Sequence, residues 1–137
     1  MIDLKFLIKG GDFDKVGTAS SETKKVLKQL NIDPKVVKRT VVALYEAEVN
    51  IAAHAYGGEV RVTVSDHQIV ALLKDEGPGI ADIDRAMLEG FSTASPKVRE
   101  MGFGAGMGLT NMKKNADELQ VESTPGAGTT VKMIFDF

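Results

Sequence analysis

Glu46 and Asn50 stand four residues apart in the stretch Leu44-Tyr45-Glu46-Ala47-Glu48-Val49-Asn50-Ile51. On a helix this spacing puts both side chains on one side, one turn apart. A carboxylate there can orient or deprotonate a nucleophile. An amide oxygen there can hold a hard cation. Magnesium suits the role, since it favours oxygen ligands, keeps several waters and takes substrate phosphates. Alone, such a pair is most often a solvated polar face. The flanking Ala47, Val49, Ile51, Ala52 and Ala53 change the weighing, because polar groups in an apolar helix need a partner or a cleft.

Three further stretches follow in order. Asp75-Glu76-Gly77-Pro78-Gly79-Ile80 begins at an expected strand end. An ionised Asp75 is a pure acceptor and can take an exocyclic amine such as adenine N6. Gly77 and Gly79 would let the backbone approach a flat base, with Pro78 stiffening the turn. The bland alternative is a turn and nothing more. Gly102, Gly104, Gly106 and Gly108 alternate just before Leu109-Thr110-Asn111-Met112, a helix start. Backbone N–H groups at a helix N-terminus, made accessible by glycine, bind phosphate. No Gly-Lys-Ser/Thr follows, so this is not a Walker A loop, and no βαβ unit with a later acidic strand end makes it a dinucleotide fingerprint. Gly126-Ala127-Gly128-Thr129-Thr130 reads as a hairpin turn whose threonine hydroxyl can reach the base edge or a water near Asp75.

Composition narrows the field. The chain has 137 residues, enough for one domain with a proper core, spanning residues 1–137. Hydrophobic residues at 43% and charged residues at 26% are ordinary for a soluble globular protein. A net charge of -2 with mixed signs gives no electrostatic case for nucleic acid or an anionic membrane. The absence of cysteine excludes disulfides, thiolate metal sites and cysteine nucleophiles. With only His54 and His67, a histidine-rich zinc site is disfavoured. No apolar run reaches the roughly 20 residues of a membrane span, and the N-terminus is not a secretory signal. The expected home is cytoplasmic.

The elements that must position these residues are readable from periodicity. Leu4 to Lys9 alternates as an edge strand, broken by Gly10-Gly11. From about Asp14, Val16, Ala19, Thr23, Val26 and Leu30 mark one amphipathic helix that Asn31-Ile32 ends. Asp33-Pro34 predicts an N-cap and first helical position for a second helix running to about Ala55. Its buried stripe is Val37, Val41, Leu44, Ala47 and Ile51, with Glu46 and Asn50 at the border. Val60, Val62 and Val64 alternate as a half-buried strand, and Asp66-His67 is a tight turn. Ile69 to Lys74 is apolar enough for a central strand. A short helix is expected over Ile83 to Leu88. Residues 90–106 form a long loop, of the kind that is functional in compact domains. Gly108 to about Ala116 predicts a helix, and Leu119 to Ser123 and Thr129 to Phe135 two strands. The sum is a two-layer α/β sandwich, a mixed sheet with helices on one face and a long lid.

Taken together, the four motifs resemble the GHKL, or Bergerat-fold, ATPase superfamily over nearly the whole chain. They are Glu46-x-x-x-Asn50, Asp75-x-Gly77-x-Gly79, Gly104-Ala105-Gly106-Met107-Gly108-Leu109 and Gly126-Ala127-Gly128-Thr129-Thr130. The resemblance implies ATP and Mg2+ as ligands. It implies Asn50 for the metal, Glu46 as general base and Asp75 on adenine N6. Gly77, Gly79 and Ile80 would lie at the base. Gly104, Gly106, Met107, Gly108 and Leu109 would belong to the ATP lid near the phosphates, and Thr129 or Thr130 would lie near adenine.

With the last strand ending the sequence, the chain resembles free-standing members: the anti-sigma-factor serine/threonine kinases and the switch kinases of stress signalling. Gly90-Phe91-Ser92-Thr93 is closer to the second group, Met107-Gly108-Leu109-Thr110-Asn111-Met112 to the first. What this implies is phosphorylation of a STAS-domain anti-sigma-factor antagonist, a sigma factor or downstream regulator as a further partner, and a homodimer. One departure stands out. Many anti-sigma kinases carry an arginine just before the final lid glycines, where this chain has Gly104 and Ala105. That departure favours an alternative: a nucleotide-gated binding module that holds its partner with little phosphoryl transfer. A detached histidine-kinase catalytic domain is a third reading.

Overall fold

The computed structural model of the chain describes residues 1–11, 13–54, 57–76, 108–124 and 128–137. Strand β1 (Ile2–Lys9) leads through a short 3-10 turn (Phe13–Lys15) to helix α1 (Thr18–Gln29) and helix α2 (Pro34–His54). Strands β2 (Gly57–Val64) and β3 (Gln68–Asp75) follow, then helix α3 (Gly108–Asn115) and strands β4 (Glu118–Thr124) and β5 (Gly128–Asp136). The expected short helix over Ile83 to Leu88 and the lid over 90–106 lie outside the described residues.

The strands make one five-stranded sheet in the order β1-β2-β3-β5-β4, and all four pairings are antiparallel. The α/β sandwich of the sequence reading holds, and its mixed sheet is corrected. The reason is the pair of helices between β1 and β2. The start of α1 lies against Glu48, near the end of α2. Its own end is joined to α2 by a short turn, so the two helices run antiparallel. An out-and-back pair returns the chain on the opposite heading, and β2 then pairs antiparallel to β1.

Alternation sets the two faces of the sheet. Val60, Val62 and Val64, then Ile69, Ala71 and Leu73, then Val131, Met133 and Phe135 are buried. They join Leu27, Leu44, Ile51, Leu109 and Met112 from the helices in one core. The opposite face carries Glu59, Arg61, Lys74 and Lys132 in alternate positions. The β2–β3 turn is tied by Ser65, whose N–H and hydroxyl both donate to the Gln68 carbonyl.

Helix ends follow local chemistry. Asp33 Oδ1 accepts from the Lys35 N–H at 2.8 Å, with Pro34 at the first helical position, as the sequence predicted. At the end of α1, Asn31 is left-handed, with φ 57°. Its N–H donates to the Lys28 carbonyl, and the Ile32 N–H donates to the Leu27 carbonyl. That double bond is a Schellman motif, with Asn31 where glycine is commoner. The phase of α1 differs from expectation. Ala19 and Thr23 are buried as read, but Leu27 takes the third core position, and Leu30 is exposed. The helix also starts later than expected, since Gly17, left-handed at φ 101°, puts its first residue at Thr18 instead of about Asp14.

Gly17 has no side chain with which to cap α1. The acceptor comes from α2 instead. Glu48, only 1% exposed, receives the N–H groups of Gly17 and Ala19 on Oε1 at 3.2 and 2.8 Å. Its Oε2 receives the Ser20 N–H at 3.2 Å. A negative group at a helix N-terminus is also favoured by the helix dipole. Glu48→Ala would leave three part-buried or buried N–H groups without that acceptor, and an expected loss of about 3 kcal/mol follows. Urea midpoints at constant slope measure it, and a loss under about 1 kcal/mol would show that α1 caps itself. Thr23 offers the converse. Its hydroxyl is buried and lacks a partner among the described residues. Thr23→Val should raise stability by about 1 kcal/mol, read as a melting point higher by about 3 °C.

Candidate functional site

Helix α2 carries Glu46 and Asn50, and its orientation is set by what its other residues bury. Successive residues turn by about 100°, so Glu46 and Asn50 lie about 40° apart and both point away from Glu48. With Glu48 locked inward, the pair is rotated to the opposite edge, where both are half-buried. Arg39, seven residues before Glu46, falls on the same edge.

That edge faces α3. Arg39 Nη1 donates to the Asn115 carbonyl at 3.1 Å and meets both Asp117 carboxylate oxygens at 3.4 Å. Asp117 in turn accepts the Asp136 N–H at 2.7 Å, which anchors the end of α3 to β5. Further along, Asn111 Nδ2 donates to Glu46 Oε1 at 3.1 Å. The order of these contacts shows that α3 runs antiparallel to α2. Four more residues along α2, about 6 Å, bring Asn50 level with the start of α3 at Gly108. Among the described residues, none bonds the Asn50 side chain or Glu46 Oε2. Leu109 is buried in the core, so its side chain anchors the helix. Only its N–H, in the first turn, remains for a ligand.

Asp75 closes β3. Its Oδ1 accepts the Thr129 N–H at 2.9 Å. The strand end is gripped on both sides. The Glu76 N–H donates to the Gly57 carbonyl at 2.8 Å. A Cβ at Gly58 would stand 2.8 Å from the Lys74 carbonyl and 3.1 Å from Ile51 Cγ2. Gly58 thus lets α2 and β3 meet beside Asn50. On the other side Gly128, at φ 123°, leaves no room for a Cβ against the Asp75 carbonyl. Burial pushes the Asp75 carboxyl above the usual carboxylate range, and the Thr129 N–H opposes this only in part. Oδ2 has no partner among the described residues. A half-buried carboxylate with one open oxygen suits an amine donor.

The structure separates the two threonines. Thr129 is buried on the helix face, its hydroxyl 2.9 Å from Ser123 Oγ. Thr130 alternates to the opposite face and pairs with Lys74, so of the two only Thr129 lies at Asp75. Gly77, Gly79, Ile80, Gly104, Gly106 and Met107 lie outside the described residues. Glu48 and Asn111 were not singled out by the sequence reading. Glu48 had a signal there, since it falls four residues after Leu44 and three before Ile51, on the buried stripe. Asn111 had none, because its partner is 65 residues away. Among the described residues no group of three His, Asp or Glu could hold a metal ion. A cation at Asn50 would therefore take most of its ligands from substrate and water. No helix among them is long and apolar enough to cross a membrane.

A five-stranded antiparallel sheet under helices is the fold of an ATPase-type nucleotide domain. The chain belongs to the histidine kinase-like ATPase domain family, which matches residues 11–135, and membership implies a nucleotide ligand. The anti-sigma F factor of Caldanaerobacter subterraneus subsp. tengcongensis is 35% identical over 140 residues, 97% of this chain and 91% of that protein. The SiaB–SiaC complex from Pseudomonas aeruginosa has a TM-score of 0.66 at 13% identity, covering 96% of this chain and 88% of that one. The RsbU and RsbW domains of Rv1364c from Mycobacterium tuberculosis give 0.66 at 15% identity, over 98% of this chain but 32% of that longer one. At such identities the two structures speak for the fold alone.

The raised Asp75 carboxyl fixes the sign of a pH test. A carboxyl whose value is higher folded than unfolded gives stability that is full below the ordinary carboxylate range. That stability is lost as pH rises through the folded value. In Asp75→Asn the amide oxygen can still accept the Thr129 N–H without ionising. The ligand-free variant should therefore gain on the wild type as pH rises through that window and hold the gain at neutral pH. Urea midpoints at pH 3.5 and 7.5 check this, and an advantage larger at the lower pH would contradict it.

Proposed function

We propose that this chain is an ATP- and Mg2+-dependent serine/threonine protein kinase of the anti-sigma type, acting on a STAS-domain partner. The observation that carries this is the Glu46–Asn50 edge of α2, with Glu46 held from α3 and Asn50 level with its start. Similarity across 97% of the chain to a protein named anti-sigma F factor supports it.

Asp75, through its open oxygen, would take the adenine amine, with Thr129 and the Gly128 turn holding that carboxylate in place. Asn50 would hold the magnesium ion by its amide oxygen, where the metal neutralises charge on the phosphates. The N–H groups at the start of α3 would face the phosphates. Glu46 would then accept the proton of a partner serine hydroxyl as its oxygen attacks the γ-phosphorus. The bond from that phosphorus to the bridging oxygen breaks, and ADP leaves with the electron pair. The product serine carries about two negative charges, enough to disrupt an interface that received a neutral hydroxyl. A sigma factor or other regulator, a homodimer and a cytoplasmic setting go with this reading.

A second reading stays with one observation: Gly104 and Ala105 stand where many anti-sigma kinases carry arginine. It is a nucleotide-gated binding module that orders around ATP and grips a partner with little transfer.

Transfer of labelled phosphate from ATP to STAS partners separates the two. The kinase reading expects acid-stable label on serine, reduced about 100-fold or more in Glu46→Ala with ATP still bound. It expects Asn50→Ala to lose the response to magnesium. Tight ATP binding with no label on any cognate partner supports the binding module. Acid-labile label would indicate histidine as acceptor.

A further inference from the structure

We infer that Asn111 is a positioning residue for Glu46: its carboxamide fixes the carboxylate and ties its aim to the helix that begins at Gly108. The inference rests on the reading of Glu46 as the base.

The contact itself is specific. Asn111 Nδ2 donates to Glu46 Oε1 at 3.1 Å across α2 and α3. The flipped carboxamide would set two acceptor oxygens against each other, so the donor end must face Glu46. One carboxylate oxygen is thereby occupied, and Oε2 is left as the atom available to a hydroxyl. A neutral donor suits this role. A lysine or arginine would fix the carboxylate equally well but would form an ion pair and blunt it as a base. A carboxamide orients without neutralising.

What lies behind Asn111 makes it more than a chance polar contact. Leu109 and Met112, on either side of it, are buried in the core. The Asn111 carbonyl accepts from Asn115 Nδ2 at 2.7 Å, and the Asn115 carbonyl accepts from Arg39 at 3.1 Å. The far end of α3 is thus held to α2 by Arg39. Asn111 sits one turn from the near end, Gly108. Any settling of that first turn on phosphates would be felt at Glu46 through a single hydrogen bond.

The test uses the full chain with Mg-ATP and a phosphorylatable STAS partner. Asn111→Leu, matched in size, should lower kcat about 10-fold while KM for ATP stays within about twofold. Asn111→Gln, which restores a carboxamide donor, should recover part of the rate. In a Glu46→Gln background Asn111→Leu should add nothing. An equal loss in both backgrounds, or a risen KM with kcat unchanged, overturns the inference. Circular dichroism melts show whether each variant is folded. If the wild type transfers no phosphate, the proposed function fails, and the inference is then decided by NMR. The two side-chain amide protons of Asn111 should be well separated in the wild type. Their separation should collapse in Glu46→Ala, and the signals should move when a non-hydrolysable Mg-ATP analogue binds. An Asn111 amide indifferent to Glu46→Ala overturns it whatever the kinase assay shows.

Discussion

The buried carboxylate of Glu48 is the constraint on which the helical layer depends. Helix α1 begins at a left-handed glycine that cannot cap it, and its first N–H groups open toward α2 and the core. Unpaired there, they would each carry a desolvation penalty. Glu48 supplies both oxygens from α2 and sets the crossing of the two helices. Burial pushes its carboxyl above the usual range, and the N–H groups of Ala19, Ser20 and Gly17 pull it back. The same lock fixes the rotation of α2 about its axis. Residues two before and two after Glu48 must then lie on the opposite edge. The edge that holds Glu46 and Asn50 is in this sense the back of a structural residue.

Helix α3 is the complementary half. It has eight residues, short enough that it would not persist alone. Leu109 and Met112 give it a core side. Arg39 and Asp117 fix its end, and Asn111 fixes its middle to Glu46. At its first turn the N–H groups have no intrahelical carbonyl before them. A short helix tied at its far end is suited to presenting those N–H groups without contributing a large surface of its own.

Much of this was legible in the sequence, and the parts that were not share a cause. The strands were readable because period-two alternation is written into consecutive residues, as in Val60, Val62 and Val64. The start of α2 was readable because Asp33-Pro34 acts locally. The start of α1 was misread because the left-handed Gly17 delays the helix to Thr18. Sheet direction was misread because it depends on how two helices fold back on each other. Glu48 lay on the stripe of Leu44 and Ile51 and could have been flagged by spacing alone. Asn111 could not, since its meaning comes from a residue on another element.

Glu48 and Asp75 show how one kind of side chain serves two ends. Both are carboxylates drawn out of water, and for both burial is the largest influence on ionisation. Glu48 meets three backbone donors, uses both oxygens and has nothing left to offer a ligand. Asp75 meets one backbone donor and, among the described residues, keeps an oxygen open at a strand end. For both, ionisation costs stability because burial outweighs the donors; at Glu48 three backbone N–H groups offset that cost, at Asp75 one does. The glycines on either side of Asp75 follow from the same logic. Gly58 and Gly128 bring two neighbouring strands so close to its backbone that the strand end cannot withdraw into solvent. Half-buried, and with one oxygen that no described residue meets, Asp75 would gain from an amine donor, because burial disfavours its charge and a donor offsets that cost.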